Sequence, residues 1–211
     1  MTSLADLEEI IFPKDLYWQL VGHARRKLAG HYLAGEERAP KAYGLVGGQL
    51  LNGHGEVTHV VPLLRNQRDA AHLKPVLDQV MDDLAIRSET PLDRRGWVSD
   101  PLEIAAADEL FDAAGAVLFG GYHMHRVPWE HDPIRDSCTD VDTELGADSG
   151  LWMFILAMVD RENPVLRAYF EGDNGHETPV RAADYREHQF AIEPWRRAGG
   201  GPDIGDGAIA R

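Results

Sequence analysis

Residues 116–122 (AVLFGGY) form a short apolar run that leads straight into His123-Met124-His125. An uncharged run of this length reads as a buried strand. Such a strand needs neighbours on both sides and helices packed over it. Because alternate side chains of an extended chain share a face, it also presents His123 and His125 toward one point. The rest of the chain supplies those neighbours. Residues 9–12 read as a strand, and Pro13 opens a helix to about Ala29, on which Leu16, Leu20, Val21, Ala24 and Leu28 share a face at a 3.6 period before Gly30. Residues 43–51, interrupted by Gly47 and Gly48, and residues 56–64 read as strands joined by the hairpin turn Asn52-Gly53-His54-Gly55. A helix is expected over 75–86. Asp100-Pro101-Leu102-Glu103 supplies an N-cap, a proline at the first helical position and an acid at the third, for a helix with a Leu102, Ala106, Leu110, Ala113 stripe that ends near Gly115. Residues 151–159 and 165–170 complete an antiparallel pair. The expected fold is α+β, a mixed central sheet flanked by helices, with the chemistry at the end of a central strand.

Length and composition narrow the function. The 211 residues are enough for one domain, or one with a small appendage, and 44% apolar against 27% charged residues excludes disorder throughout. The net charge of −14 repels phosphate backbones and anionic membrane surfaces, so neither nucleic acid nor membrane is an expected partner. A single cysteine, Cys138, excludes an intramolecular disulfide framework and an all-cysteine zinc cage, and it fits a reducing compartment. The N-terminal MTSLADLEEIIF carries acids where a signal peptide is basic, and the longest apolar run, 151–159, is about half the ~18–20 residues of a membrane span. A cytoplasmic location is expected. The stretch 196–211 (RRAGGGPDIGDGAIAR) reads as a flexible Gly-rich tail behind a domain spanning 1–195.

Any metal must then be held by His, Asp or Glu. Two histidines and one carboxylate match the three nitrogen or oxygen ligands of a catalytic zinc site, whose fourth position is left to water. A lone His-x-His is also met as an exposed pair at a strand end, so the surrounding order of elements matters. Strand, His-x-His, a Ser-x-x-Asp that opens a helix, and a further apolar strand resemble the JAMM motif of the JAB/MPN superfamily of zinc metallopeptidases, a cytidine-deaminase-like fold. The elements here are His123, His125, Ser137 and Asp140. EEIIFPKDLYWQLVGHARRKL is similar to that family's opening strand and helix, PKAYGLVGG to its Gly-Leu strand, and VVPLLRN to the strand that follows. WVSDPLEIAAADELFDAAGAVLFGGYHMH resembles its Asp-Pro helix and ligand strand, and LWMFILAMVDRENPVLRAYF its closing pair, so the resemblance covers roughly residues 8–172.

The resemblance implies Zn2+ held by His123, His125 and Asp140, with Ser137 helping to hold the tetrahedral intermediate. The implied activity is that of a peptidase or isopeptidase acting on the C-terminal tail of a ubiquitin-like or sulfur-carrier protein, taken up as an added strand. Two departures stand out. Residues 126–136 put eleven residues between the second histidine and Ser137, against about seven in the family, and this longer loop carries Trp129, Glu130, His131, Asp132 and Asp136. Asp136 is a rival to Asp140 as ligand. The family's general-base glutamate, three residues before the Gly of the Gly-Leu strand, is replaced by Lys41, whose ammonium cannot accept a proton. Glu130 is the expected substitute base, with His131, Glu36 and Glu37 as alternatives. A noncatalytic, protein-binding MPN scaffold is the contrasting reading.

Other features are read as structural. Gly47-Gly48 and Gly120-Gly121 lack a phosphate-loop context and suggest bulges or close backbone approach. Cys138 reads as a small buried side chain. His23, His31, His54, His59, His72, His176 and His188 are expected at the surface or in turns, and Trp18 and Trp152 in the core, while Trp129 is a candidate to line a substrate groove.

Overall fold

A computed structural model describes residues 3–86 and 90–183, so the Gly-rich tail, His188 and the end of the domain lie outside the described residues. The chain runs β1 (Glu9–Pro13), α1 (Lys14–Leu28), β2 (Tyr43–Leu51), β3 (His54–Leu63), α2 (Lys74–Leu84), α3 (Pro101–Ala113), β4 (Val117–His125), α4 (Asp140–Gly146), β5 (Trp152–Ala157), β6 (Val165–Phe170), β7 (Glu177–Thr178) and β8 (Val180–Ala183). It is a mixed α+β fold, as the alternation of apolar runs and amphipathic stretches requires. One eight-stranded sheet has the order β7-β6-β5-β4-β2-β3-β1-β8. Its ends approach each other, because β8 comes back against β6 and the Thr178 hydroxyl donates to the Leu7 carbonyl, so the sheet is nearly closed. Among the described residues, no helix is long and apolar enough to cross a membrane.

β4 lies in the middle of this sheet, antiparallel to β2 and parallel to β5. The strand does not end at Tyr122, as the sequence pattern suggests, but continues paired through His125, opposite Ala157. Its passage through the sheet depends on the glycines. A Cβ at Gly120 would run into the Trp152 carbonyl, and the β2–β3 register shifts at Gly47/Gly48. Asn52 and Gly53 both take positive φ (48° and 93°), the two-residue turn that fits strand twist, so β3 starts at His54, two residues before its expected start.

The helices close the core. Leu16, Leu20, Val21 and Ala24 of α1 are buried in one cluster with Phe12, Phe119, Trp152 and Phe154. Burying each large side chain of this kind stabilises by roughly 1.5–3 kcal/mol. Trp18 falls two positions from Leu16, on the opposite side of the helix, and is 51% exposed, with Arg25 over its ring. It is not a core residue. On α3 the N-cap is as expected, Asp100 accepting from the Leu102 amide, but the buried face is Ala107 and Phe111, and Leu102 is 70% exposed. The helix is turned because Glu103 accepts hydrogen bonds from the Leu64 and Arg65 amides, which fixes that side of its first turn against the end of β3. His23 and His59 are buried rather than at the surface: His23 Nδ1 lies 2.7 Å from the Tyr122 hydroxyl, and His59 Nδ1 lies 2.8 Å from that of Thr58.

Candidate metal centre

The last residues of β4 and the start of α4 converge. His123 Nε2 lies 3.0 Å from His125 Nε2 and 3.2 Å from Asp142 Oδ1, and His125 Nε2 lies 3.4 Å from Asp142 Oδ2. In a tetrahedral zinc site with bonds of ~2.0–2.2 Å, neighbouring donor atoms stand ~3.3–3.6 Å apart, so these three edges are those of a slightly contracted ligand triangle. His123, His125 and Asp142 are the one group of metal-ligand type that comes together among the described residues.

Proton bookkeeping supports the fit. His125 Nδ1 is 3.1 Å from the Arg135 carbonyl, which only accepts, so Nδ1 carries the hydrogen and Nε2 of the neutral ring presents a lone pair to the site. Burial pushes His125 below the ordinary imidazole range against the opposing pull of Asp142, which keeps the ring neutral. Burial would raise Asp142, but the histidines, His123 first, hold it well below the usual carboxylate range. A lone pair and a carboxylate thus face each other at 3.4 Å without a hydrogen between them. The donor set suits a cation, and the His125–Arg135 hydrogen bond is the kind of outer contact that fixes a ligating histidine's tautomer.

The neighbouring residues hold these donors in place. Tyr43 sits opposite His123 across β2 and β4 and stacks on its ring (centroids 5.5 Å apart), and Trp97 stacks on Tyr43 in turn (4.7 Å). Asp142 is the third residue of α4 in a capping box. Its Oδ2 accepts from the Thr139 amide and hydroxyl, both at 2.8 Å, while the Asp142 amide donates back to the Thr139 Oγ1.

This corrects the expected ligand set. The carboxylate that meets the histidines is Asp142, not Asp140. Two residues apart on a helix, the two acids point to different sides, and Asp140, at the first position of α4, is exposed. The Ser-x-x-Asp spacing has a second match, Thr139-x-x-Asp142, shifted by two residues. A threonine three before an acid is the capping-box signature, and it was legible in the sequence. The loop between ligand strand and cap is therefore thirteen residues long, 126–138.

The other expected site residues lie elsewhere. The Ser137 hydroxyl donates to Asp132 Oδ2 (3.1 Å), and the Arg135 amide donates to Asp132 Oδ1 (2.8 Å), so Asp132 organises the loop. Asp136 pairs with Arg167 at 3.0 Å. Glu130 and His131 are exposed and line neither of the two cavities beside the triad. The Lys41 ammonium donates to the Gly96 carbonyl (3.2 Å) and lies 3.7 Å from Glu37. Glu36 belongs to a separate buried cluster with Arg26, Lys27 and His23. Cys138 is buried, and burial pushes its thiol up, which makes it inert. Trp129 lines both cavities and carries the Arg135 guanidinium 3.4 Å above its ring.

No family model matches this chain, and no curated protein matches it. Among solved structures, the solution structure of a protein from Desulfitobacterium hafniense is similar at a TM-score of 0.55 and 19% identity, covering 84% of this chain and 95% of that one. The solution structure of a protein from Salinibacter ruber aligns at a TM-score of 0.44 and 20% identity, covering 85% and 99%. The first shows a shared α+β fold and nothing further.

Proposed function

We propose that this chain is a JAB/MPN domain and a zinc-dependent hydrolase of the JAMM kind, cleaving an amide or isopeptide bond at the C-terminal tail of a ubiquitin-like or sulfur-carrier protein. The observation that carries the reading is the convergence of His123, His125 and Asp142 at the wall of a cavity of about 380 Å³. Zinc bound there would supply a Lewis acid and a water of lowered pKa, so no serine or cysteine nucleophile is required. Around it the chain's own residues do the positioning. Arg135 and Thr139 fix the donor atoms of His125 and Asp142, the Trp97–Tyr43 stack holds the His123 ring, and Trp129 gives the substrate an apolar wall. Among the described residues, three acids line the cavity. Asp142 faces the histidines, Glu171 accepts from the Gly150 amide, and Asp140 lies on that wall at the exposed side of α4.

The second reading, a noncatalytic MPN-type scaffold, is favoured by Lys41. A cation stands where the resembling family has its base, bonded to Gly96. Hydrolysis of a C-terminal ubiquitin-like fusion, measured with and without zinc, separates the two. The hydrolase reading expects zinc-dependent cleavage that His123→Ala abolishes. If wild type is inert and Lys41→Glu gains cleavage, the chain is a disabled hydrolase and the scaffold reading holds.

A further inference from the structure

The cavity of about 380 Å³ beside the triad has the size of a small-ligand site, and its walls are mainly apolar. Much of that wall comes from α2 and α4. The two helices meet through a small cluster in which Leu77 and Met81 pack on Val141. One turn on from Met81, Leu84 and Ala85 pack against this cluster but stay only half-buried. Leu145, one turn on from Val141 on the same face of α4, is 48% exposed, and Ile86, just past the end of α2, is 40% exposed. All four line the cavity, so the apolar faces of both helices run on past their mutual contact and into it.

Exposed apolar side chains scattered singly need no explanation, but Ile86 and Leu145 come from different elements and open onto one cavity. Charge does not mark this cavity. Among the described residues, its lining sets Arg95 and Arg135 against Asp140, Asp142 and Glu171, so neither sign dominates. Its convergent polar groups are the triad, since His123, His125 and Asp142 stand in the same lining. A concave apolar wall with a few convergent polar groups recognises a ligand by apolar contact and orients it at the polar point.

We propose that this cavity is an apolar specificity subsite, which takes a large aliphatic or aromatic side chain of the substrate residue next to the scissile bond. The inference rests on the hydrolase reading for its assignment to a substrate. It names the substrate class: a chain whose cleaved bond adjoins a residue such as phenylalanine or leucine rather than glycine. A cavity of about 380 Å³ has room for such a side chain and the peptide group that carries it. Glycine would leave Leu84, Ile86 and Leu145 uncovered, whereas burying a side chain of the leucine or phenylalanine class changes affinity by about tenfold to a hundredfold.

The test uses the full chain, metal-free in chelator, with N-acetylphenylalaninamide as the probe and N-acetylglycinamide as the control, both neutral. Binding is read by calorimetry and by the Ile86 and Leu145 methyl resonances in NMR. The expected result is saturable binding of the phenylalanine amide, about tenfold or more tighter than of the glycine amide, with both methyl resonances shifted. Leu145→Asn, at an exposed position, is expected to weaken binding about fivefold or more with unchanged circular dichroism, and Leu145→Met to keep most of it. Equal binding of the two amides, no saturable binding of either, or an unaltered preference in Leu145→Asn would overturn the proposal. Zinc titration of the same proteins is independent. Zinc bound without the apolar preference overturns the subsite alone, and the preference without zinc binding overturns the metal reading alone.

Discussion

The clusters around Glu36 and around Asp142 both bury a carboxylate against histidine, yet they are balanced in opposite ways. Glu36 is closed by the protein itself. Arg26 donates to both of its oxygens (2.5 and 2.8 Å), the Leu33 amide donates at 2.8 Å, and Lys27 lies 3.3 Å away. At Asp142 the protein supplies the capping hydrogen bonds from Thr139, but among the described residues no lysine or arginine is paired with the carboxylate, and the three donors converge on one place. A buried carboxylate whose countercharge is built in is structural. One whose neighbours are themselves ligands waits for a cation from outside, and this difference separates a folding element from a binding site more reliably than burial or residue type.

The largest expected effect is on the closed cluster. Glu36→Ala leaves Arg26 and Lys27 without their shared anion and is expected to lower stability by about 3–5 kcal/mol in chemical denaturation, with or without zinc. A loss that zinc restores would place Glu36 in the metal site and erase the comparison. At the open cluster, zinc at about a thousand times its dissociation constant is expected to stabilise wild type by about 4 kcal/mol and to raise the melting temperature, and His125→Ala is expected to lose all of that increment.

In acid the two clusters lose stability in the same direction, since each holds a histidine and a carboxylate below their ordinary values. Burial first, and the neighbouring Arg26 and Lys27 cations, hold His23 below its ordinary 6.5 against the pull of Glu36. Its contribution is therefore complete above pH 6.5 and is lost as pH falls from there toward the folded value. Burial opposes it, but hydrogen bonds from Arg26, His23 and Leu33 hold Glu36 far below 4.5, so its contribution is complete above 4.5 and is lost as pH falls further. Stability of the zinc-free chain, followed by urea denaturation, is expected to be level above pH 7 and to fall in these two stages, and His23→Gln is expected to shrink the first to the share that His125 carries. The smallest effect is that of Thr139→Ala, which removes the cap hydroxyl: about 1 kcal/mol in stability, and about tenfold or more in zinc affinity because an Asp142 oxygen loses a partner.

The two clusters were unequally legible in the sequence. His123 and His125 follow directly from an apolar strand with alternating faces, and the α+β order followed from periodicity and turn residues. The third ligand was misplaced by two residues because Ser137-x-x-Asp140 and Thr139-x-x-Asp142 have the same spacing. Only the helical phase, set by which residue caps α4, decides between them. The Glu36 cluster left no local trace. It joins α1 to a loop and to Tyr122 on β4, and contacts as remote as His23 with Tyr122 have no periodic signature. The orientation of α3 was hidden for a related reason, since the Glu103 contacts with Leu64 and Arg65 are tertiary and outweigh the Leu102 stripe. Arg135 has no distinguishing signal in the sequence, since an arginine in a polar loop is ordinary and its burial and left-handed backbone are set by tertiary structure.

The central claim is that β4 and α4 build one metal site from His123, His125 and Asp142. Calorimetric titration of zinc into the chelator-treated chain, run side by side for wild type, Asp142→Asn and Asp140→Asn, tests it most directly. The account predicts one equivalent bound by wild type and by Asp140→Asn with similar affinity, and a loss of at least a hundredfold in Asp142→Asn. Loss of binding in Asp140→Asn with Asp142→Asn unaffected, or no binding by wild type, would contradict it.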